Sequence, residues 1–146
     1  MSLAELLRES TVDLVGGAAA EVHQARLDHY EEEGLNALRK RLTVILELTL
    51  DCLETGRADA IIDWATRVAQ ERFAAGYDLV ELQTAINILE EAFWRRLLSS
   101  RQPEELAHDL GLVNSILGMA KDELARTYVS LAMERGGSRA AGSRKY

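Results

Sequence analysis

An all-helical bundle with a long C-terminal helix is the fold this chain predicts. Apolar residues recur at three- and four-residue steps along most of its length, proline occurs once, and capping patterns stand where the periodic stretches begin. With 146 residues, 47% of them hydrophobic, the chain is long enough to bury a core without disulfides or metals. One helical domain over residues 1–135 is expected, followed by a disordered basic tail over 136–146.

Ser2 and Glu5 form a capping-box pattern, and Leu3, Leu6, Leu7, Leu14 and Val15 follow at mostly helical spacing as far as Gly16-Gly17. Good helix formers continue from Ala18 to about Glu32, so the two glycines either kink one long helix or separate two short ones. From Leu35 through Leu53, the series Leu38, Leu42, Ile45, Leu46 and Leu50 defines a core helix, with Gly56 placed as its C-cap. Asp59 is positioned to open the next helix, whose apolar face runs through Ile61, Ala65, Val68, Ala69 and Phe73 to a break at Gly76.

Asp78 with Glu81 makes a second capping box ahead of Leu82, Ile86, Leu89, Phe93 and Leu97, a stripe wide enough to predict a central helix. Pro103 suits a first helical turn, and Leu106, Leu110, Val113, Leu117, Ala120, Leu124, Tyr128 and Leu131 then alternate steps of four and three. A helix from Pro103 to about Arg135 is roughly 45 to 50 Å long at 1.5 Å per residue. A domain of this size has a radius of gyration near ~15 Å, so the end of that helix must lie along a partner or project. Leu117 is therefore expected to face the domain's own core, and Leu124, Tyr128 and Leu131 are the candidate dimer contacts.

The formal net charge of -7 disfavours adhesion to nucleic acid. Arg135, Arg139, Arg144 and Lys145 form a local basic exception. Cys52 is the only cysteine, which excludes an intramolecular disulfide and suits a reducing compartment, so a cytoplasmic location is expected. No apolar run approaches the roughly 18 to 20 residues that cross a bilayer.

Tests for chemistry return little. A ferritin-like di-metal site needs two Glu-x-x-His pairs, and Glu105 with His108 is the single match. Oxygen-carrying di-iron bundles need more than the three histidines present, His23, His29 and His108. His108 is offset from the Leu106 and Leu110 face, whereas the spacing of His29 from Val22 and Ala25 allows it to face inward. Cys52, set among leucines without a neighbouring histidine, reads as a core residue. Gly16-Gly17 lacks the strand and lysine of a phosphate loop. Trp64 and Trp94 are the large side chains available to line a pocket, although aromatics at helical spacing usually pack in the core. No catalytic residue, metal or cofactor is assigned.

The segment from Leu35 to Leu98 carries a familiar cadence. A leucine-rich helix leads to the turn Gly56-Arg57-Ala58-Asp59, then to a helix ending Arg72-Phe73-Ala74-Ala75-Gly76-Tyr77, then to Asp78-Leu79-Val80-Glu81-Leu82. It resembles the N-terminal sensor domain of RsbT co-antagonists, the RsbR-type proteins of the bacterial stressosome. The resemblance implies a dimeric, globin-like fold that binds no haem, whose long last helix transmits a signal into a STAS domain. The sequence up to Tyr146 carries no αβ segment for such a domain, so a stand-alone sensor or an assembly partner is expected.

The function expected is thus a non-catalytic, homodimeric domain in stress signalling, with a STAS-domain protein or switch kinase as partner and neither nucleic acid nor membrane. The alternative is a haem- or tetrapyrrole-binding globin-like sensor. The two differ in colour: the purified protein should show no visible absorption, whereas a Soret band that disappears when His29 is replaced would establish the alternative.

Overall fold

A computed structural model describes residues 1–27, 29 and 33–143, the last seven of them by backbone alone. Six helices are defined among them: α1 (Leu3–Glu9), α2 (Thr11–Gln24), α3 (Leu35–Thr55), α4 (Asp59–Ala74), α5 (Leu79–Ser100) and α6 (Pro103–Ser143). Ser2 caps α1 reciprocally, its hydroxyl accepting from Glu5 N at 3.1 Å while the Glu5 carboxylate accepts from Ser2 N at 3.0 Å.

The first break falls at Ser10, and α2 runs uninterrupted through Gly16 and Gly17. Ser10 and Thr11 turn their hydroxyls back onto the Leu6 and Leu7 carbonyls, competition with the helical ladder that sequence periodicity does not register. Arg96 on α5 then donates to the buried Ser10 hydroxyl at 2.7 Å and fixes the corner. Helix α2 ends at Gln24, short of the Glu32 expected, because Arg26 takes a left-handed φ of 51° that no α-helix continues. The rest of that expected stretch includes Asp28, Tyr30, Glu31 and Glu32, which lie outside the described residues.

Helix α3 ends as anticipated at Gly56, whose φ of 72° allows its N–H to return to the Cys52 carbonyl. Helix α4 opens at Asp59, as expected, although the N-cap position itself falls one residue earlier. Ala58 occupies that position, and Asp59 sits in the first turn, where it favours the helix dipole and pairs with Arg57 at 2.6 Å.

Helix α5 is central, packed on α2 and α6. Leu82, Ile86, Leu89, Phe93 and Leu97 are all buried, as are Leu38, Leu42 and Leu46 of α3 across the core. On α6, Val113, Leu117, Ala120 and Leu124 have no exposure, so the heptad-like seam is covered over much of its length by the chain's own helices, α4 above all. At the junction of α5 and α6, Arg101 bonds the Met1 carbonyl at 2.7 Å and pairs with the buried Asp109 at 2.8 Å. Helix α6 continues to Ser143, past the Arg135 boundary expected from composition.

Adjacent aromatic positions on α5 report its orientation. Phe93 has no exposure, whereas Trp94 is 38% exposed. Phe93→Ala should lower stability by about 3–5 kcal/mol and Trp94→Ala by much less, which denaturant melts of the two variants measure.

Candidate functional site

The corner between α4 and α5 is built from two caps in succession. Gly76 takes a φ of 86°, its N–H returns to the Phe73 carbonyl at 3.2 Å, and Tyr77 N returns to the Arg72 carbonyl at 3.0 Å. This is a Schellman motif, with Tyr77 as the apolar residue that seals it. The next helix starts at once, Glu81 accepting from Asp78 N at 2.8 Å. The stretch Arg72 to Glu81 therefore encodes a sharp, rigid corner.

Glu81 has a second role that its capping pattern does not reveal. Its buried carboxylate also accepts from His29 N at 3.1 Å and faces His29 Nδ1 at 2.9 Å. Burial raises the Glu81 pKa, but the bonds from the His29 and Asp78 N–H groups and from the His29 ring outweigh it and hold the group below its ordinary value. An ionised carboxylate only accepts, so the proton in this contact lies on His29 Nδ1.

The His29 ring stacks on Tyr77 at 4.4 Å, and its Nε2 lies 3.8 Å from where a Cβ on Gly76 would stand. The helix that would have carried His29 at that spacing ends at Gln24, and the half-buried His29 ring is turned onto the α4–α5 corner by Glu81 and Tyr77 instead. His23 and His108 are exposed, and no group of three or more metal-ligating side chains occurs among the described residues. Cys52 is buried in the core, and burial pushes its thiol pKa up, which disfavours a thiolate.

The corner is fastened to the last helix. Tyr128 donates its hydroxyl to the Tyr77 carbonyl at 3.1 Å, its ring meets Phe73 edge-on at 5.4 Å, and Arg135 lies 4.6 Å above the Phe73 ring. Burial, then the charges of Glu81 and Asp78, raise the Tyr128 pKa to about 12. Of the three candidate dimer contacts, Leu124 is fully enclosed by the chain's own helices, Tyr128 is buried in this corner, and Leu131 is half-buried. Periodicity places all three on one stripe but does not say which helix of the same chain covers it.

Beside the corner lies a cleft of about 310 Å³ between α3 and α4, with α5 and Leu124 of α6 behind it. Leu38, Leu42, Ile45, Leu82 and Ile86 supply an apolar lining, and Trp64, half-buried, stands at its side. Trp64 packs against the core and also lines the cleft, whereas Trp94 departs from a core position and reaches outward to bond Asn114 at 2.9 Å. Charged side chains border the cleft on α3 and α4, namely Arg41, Arg67, Glu71 and Arg72. Glu33 bridges Arg41 at 2.6 Å and Arg72 at 3.5 Å, and the Arg72 guanidinium lies 5.0 Å over Tyr77. Arg72 thereby joins the cleft to the corner, a link that charge patterning along the chain does not disclose.

Two titrations follow from this geometry. Because the folded Glu81 pKa is depressed, its stabilisation is present above the ordinary 4.5 and is lost as pH falls through the folded value, so Glu81→Gln should flatten the acid limb of the stability profile. Because the folded Tyr128 pKa is raised, stability should fall as pH rises from its ordinary 10 toward about 12. Ultraviolet titration of the four tyrosines should show a late-ionising one that is missing in Tyr128→Phe.

The model of one family, described as the RsbT co-antagonist protein rsbRD N-terminal domain, matches residues 11–141. Comparisons with curated proteins and with solved structures return no match. The matched span takes in the cleft, the α4–α5 corner and nearly all of the last helix. The chain therefore belongs to the RsbT co-antagonist rsbRD N-terminal domain family, a stressosome-type signalling domain.

Proposed function

We propose that the protein is a non-catalytic sensor that works as a homodimer and passes its state along the last helix to a STAS-domain protein or a switch kinase in the cytoplasm. The observation that carries this reading is the fastening of α6 to the α4–α5 corner through Tyr77, Tyr128, Phe73 and Arg135. A shift of α4 at the cleft reaches α6 through those contacts, and packed contacts of this kind move in discrete steps. The 41 residues of α6 span about 60 Å, long enough to carry such a step away from the body of the domain.

A dimer contact on α6 must use side chains that its own chain leaves open. Leu112, Met119, Arg126 and Met133 recur every seven residues on a face away from the buried seam, and the three apolar members are 38%, 37% and 70% exposed. Val129 lies beside this row at 56% exposure. Leu131, half-buried on the seam side of the helix, remains a separate candidate, whereas Leu124 and Tyr128 support the contact from within the protomer. A net charge of -7 favours a protein partner over nucleic acid, and no described helix is long and apolar enough to cross a membrane.

Light scattering tests the reading. The wild type should be a dimer, and Val129→Glu with Met133→Glu should dissociate it without loss of helical circular dichroism, since burying charge in an apolar contact costs several kcal/mol. A monomeric wild type, or a double variant that stays dimeric, counts against it.

A further inference from the structure

The cleft between α3 and α4 pairs an apolar interior with a charged border whose balance is uneven. Arg41, Arg67 and Arg72 face two carboxylates there, Glu33 and Glu71. Glu33 is shared between Arg41 and Arg72, while Arg67, one helical turn before Glu71, has no ion-pair partner among the described residues. Arg72 also keeps its Nε–H buried without a hydrogen-bond acceptor among the described residues, so its guanidinium has donor capacity that Glu33 does not use. A surplus of cationic groups beside an apolar cleft is out of keeping with a chain of net charge -7.

We propose that the cleft binds a monoanionic amphiphile, a carboxylate on a medium-length hydrocarbon chain, with the chain against Leu42, Ile45 and Ile86 and the carboxylate between Arg67 and Arg72. Size bounds the ligand. A volume of about 310 Å³ stands at the lower end of small-molecule sites, and at roughly 30 Å³ per water-sized unit it holds about ten non-hydrogen atoms. That is the size of an eight-carbon carboxylate. Charge bounds it as well: among the described residues three arginines against two glutamates leave one positive charge to neutralise, which suits a single carboxylate better than a phosphate.

The assignment rests on the signalling reading above and gives it an input. A carboxylate bonded to Arg72 competes with Glu33 for the guanidinium that lies over Tyr77, and the Tyr77 carbonyl holds Tyr128 of α6. Ligand binding thereby bears on the fastening of the last helix.

Octanoate is the probe, and Trp64 is the reporter in a Trp94→Phe background. Octanoate should change Trp64 emission saturably, and octan-1-ol and octylammonium should each bind at least about tenfold more weakly. Arg67→Gln should weaken octanoate roughly tenfold, the usual loss for one charge-assisted hydrogen bond, and Arg67→Lys should recover part of it. Arg67 is exposed and unpaired among the described residues, so its replacement leaves the fold intact. Equal affinity for octanoate and octan-1-ol, or an Arg67→Gln variant that binds octanoate like the wild type, would overturn the proposal. So would the absence of any octanoate response in a protein that light scattering finds dimeric, a result that leaves the signalling reading standing.

Discussion

The buried carboxylate of Glu81 is the constraint on which the α4–α5 corner depends. A carboxylate without partners in that position would cost several kcal/mol, so its surroundings must supply donors. They come from two parts of the chain: Asp78 N lies three residues away, and the main-chain and ring nitrogens of His29 lie 52 residues away. One side chain thus caps α5 and draws the segment after α2 onto the corner. The Schellman turn at Gly76 sets the corner's angle, and Tyr77, stacked on His29, fills the space between them.

Polar contacts at this corner carry more mechanical weight than the surface ion pairs elsewhere. The Arg8–Glu54 and Arg95–Glu21 pairs join helices across exposed surface, where solvent screening leaves such pairs little net stabilisation. The bond from Tyr128 to Tyr77 is buried, where the low local dielectric strengthens a hydrogen bond and solvent does not screen it. That asymmetry explains how the domain holds its last helix in a defined position. The α4–α5 corner and α6 move together or separate at a cost, which is the property a relay requires.

The cleft and the corner share Arg72, and this residue makes the arrangement more than a packed bundle with a surface depression. Its guanidinium is balanced between Glu33 and the Tyr77 ring, so a change in either partner is felt by the other. A bundle selected for stability alone would fill such a space with apolar side chains. Here arginines border the opening instead, two of them held by Glu33.

Local chemistry in the sequence determines much of this protein. The capping pairs Ser2 with Glu5 and Asp78 with Glu81, the left-handed stop at Gly56, the start of α6 at Pro103 and the buried stripe of α5 all follow from short-range spacing, and the structure keeps each of them. Even the cadence from Arg72 to Leu82 was legible, as a helix stop followed at once by a helix start. What tertiary structure alone decided is where those elements meet. Periodicity fixes which side of a helix is apolar, but not which neighbour covers it, so Leu124 and Tyr128 turn inward while Met119 and Met133 stay open. Spacing marked Glu81 as a capping residue, yet its pairing with His29, which lies beyond the end of α2, joins residues that share no local pattern. The hold of Arg96 on Ser10 and the cleft beside Arg67 and Arg72 have the same origin. Each arises from side chains brought together by the packing of separate helices, and a one-dimensional pattern contains no distance between them.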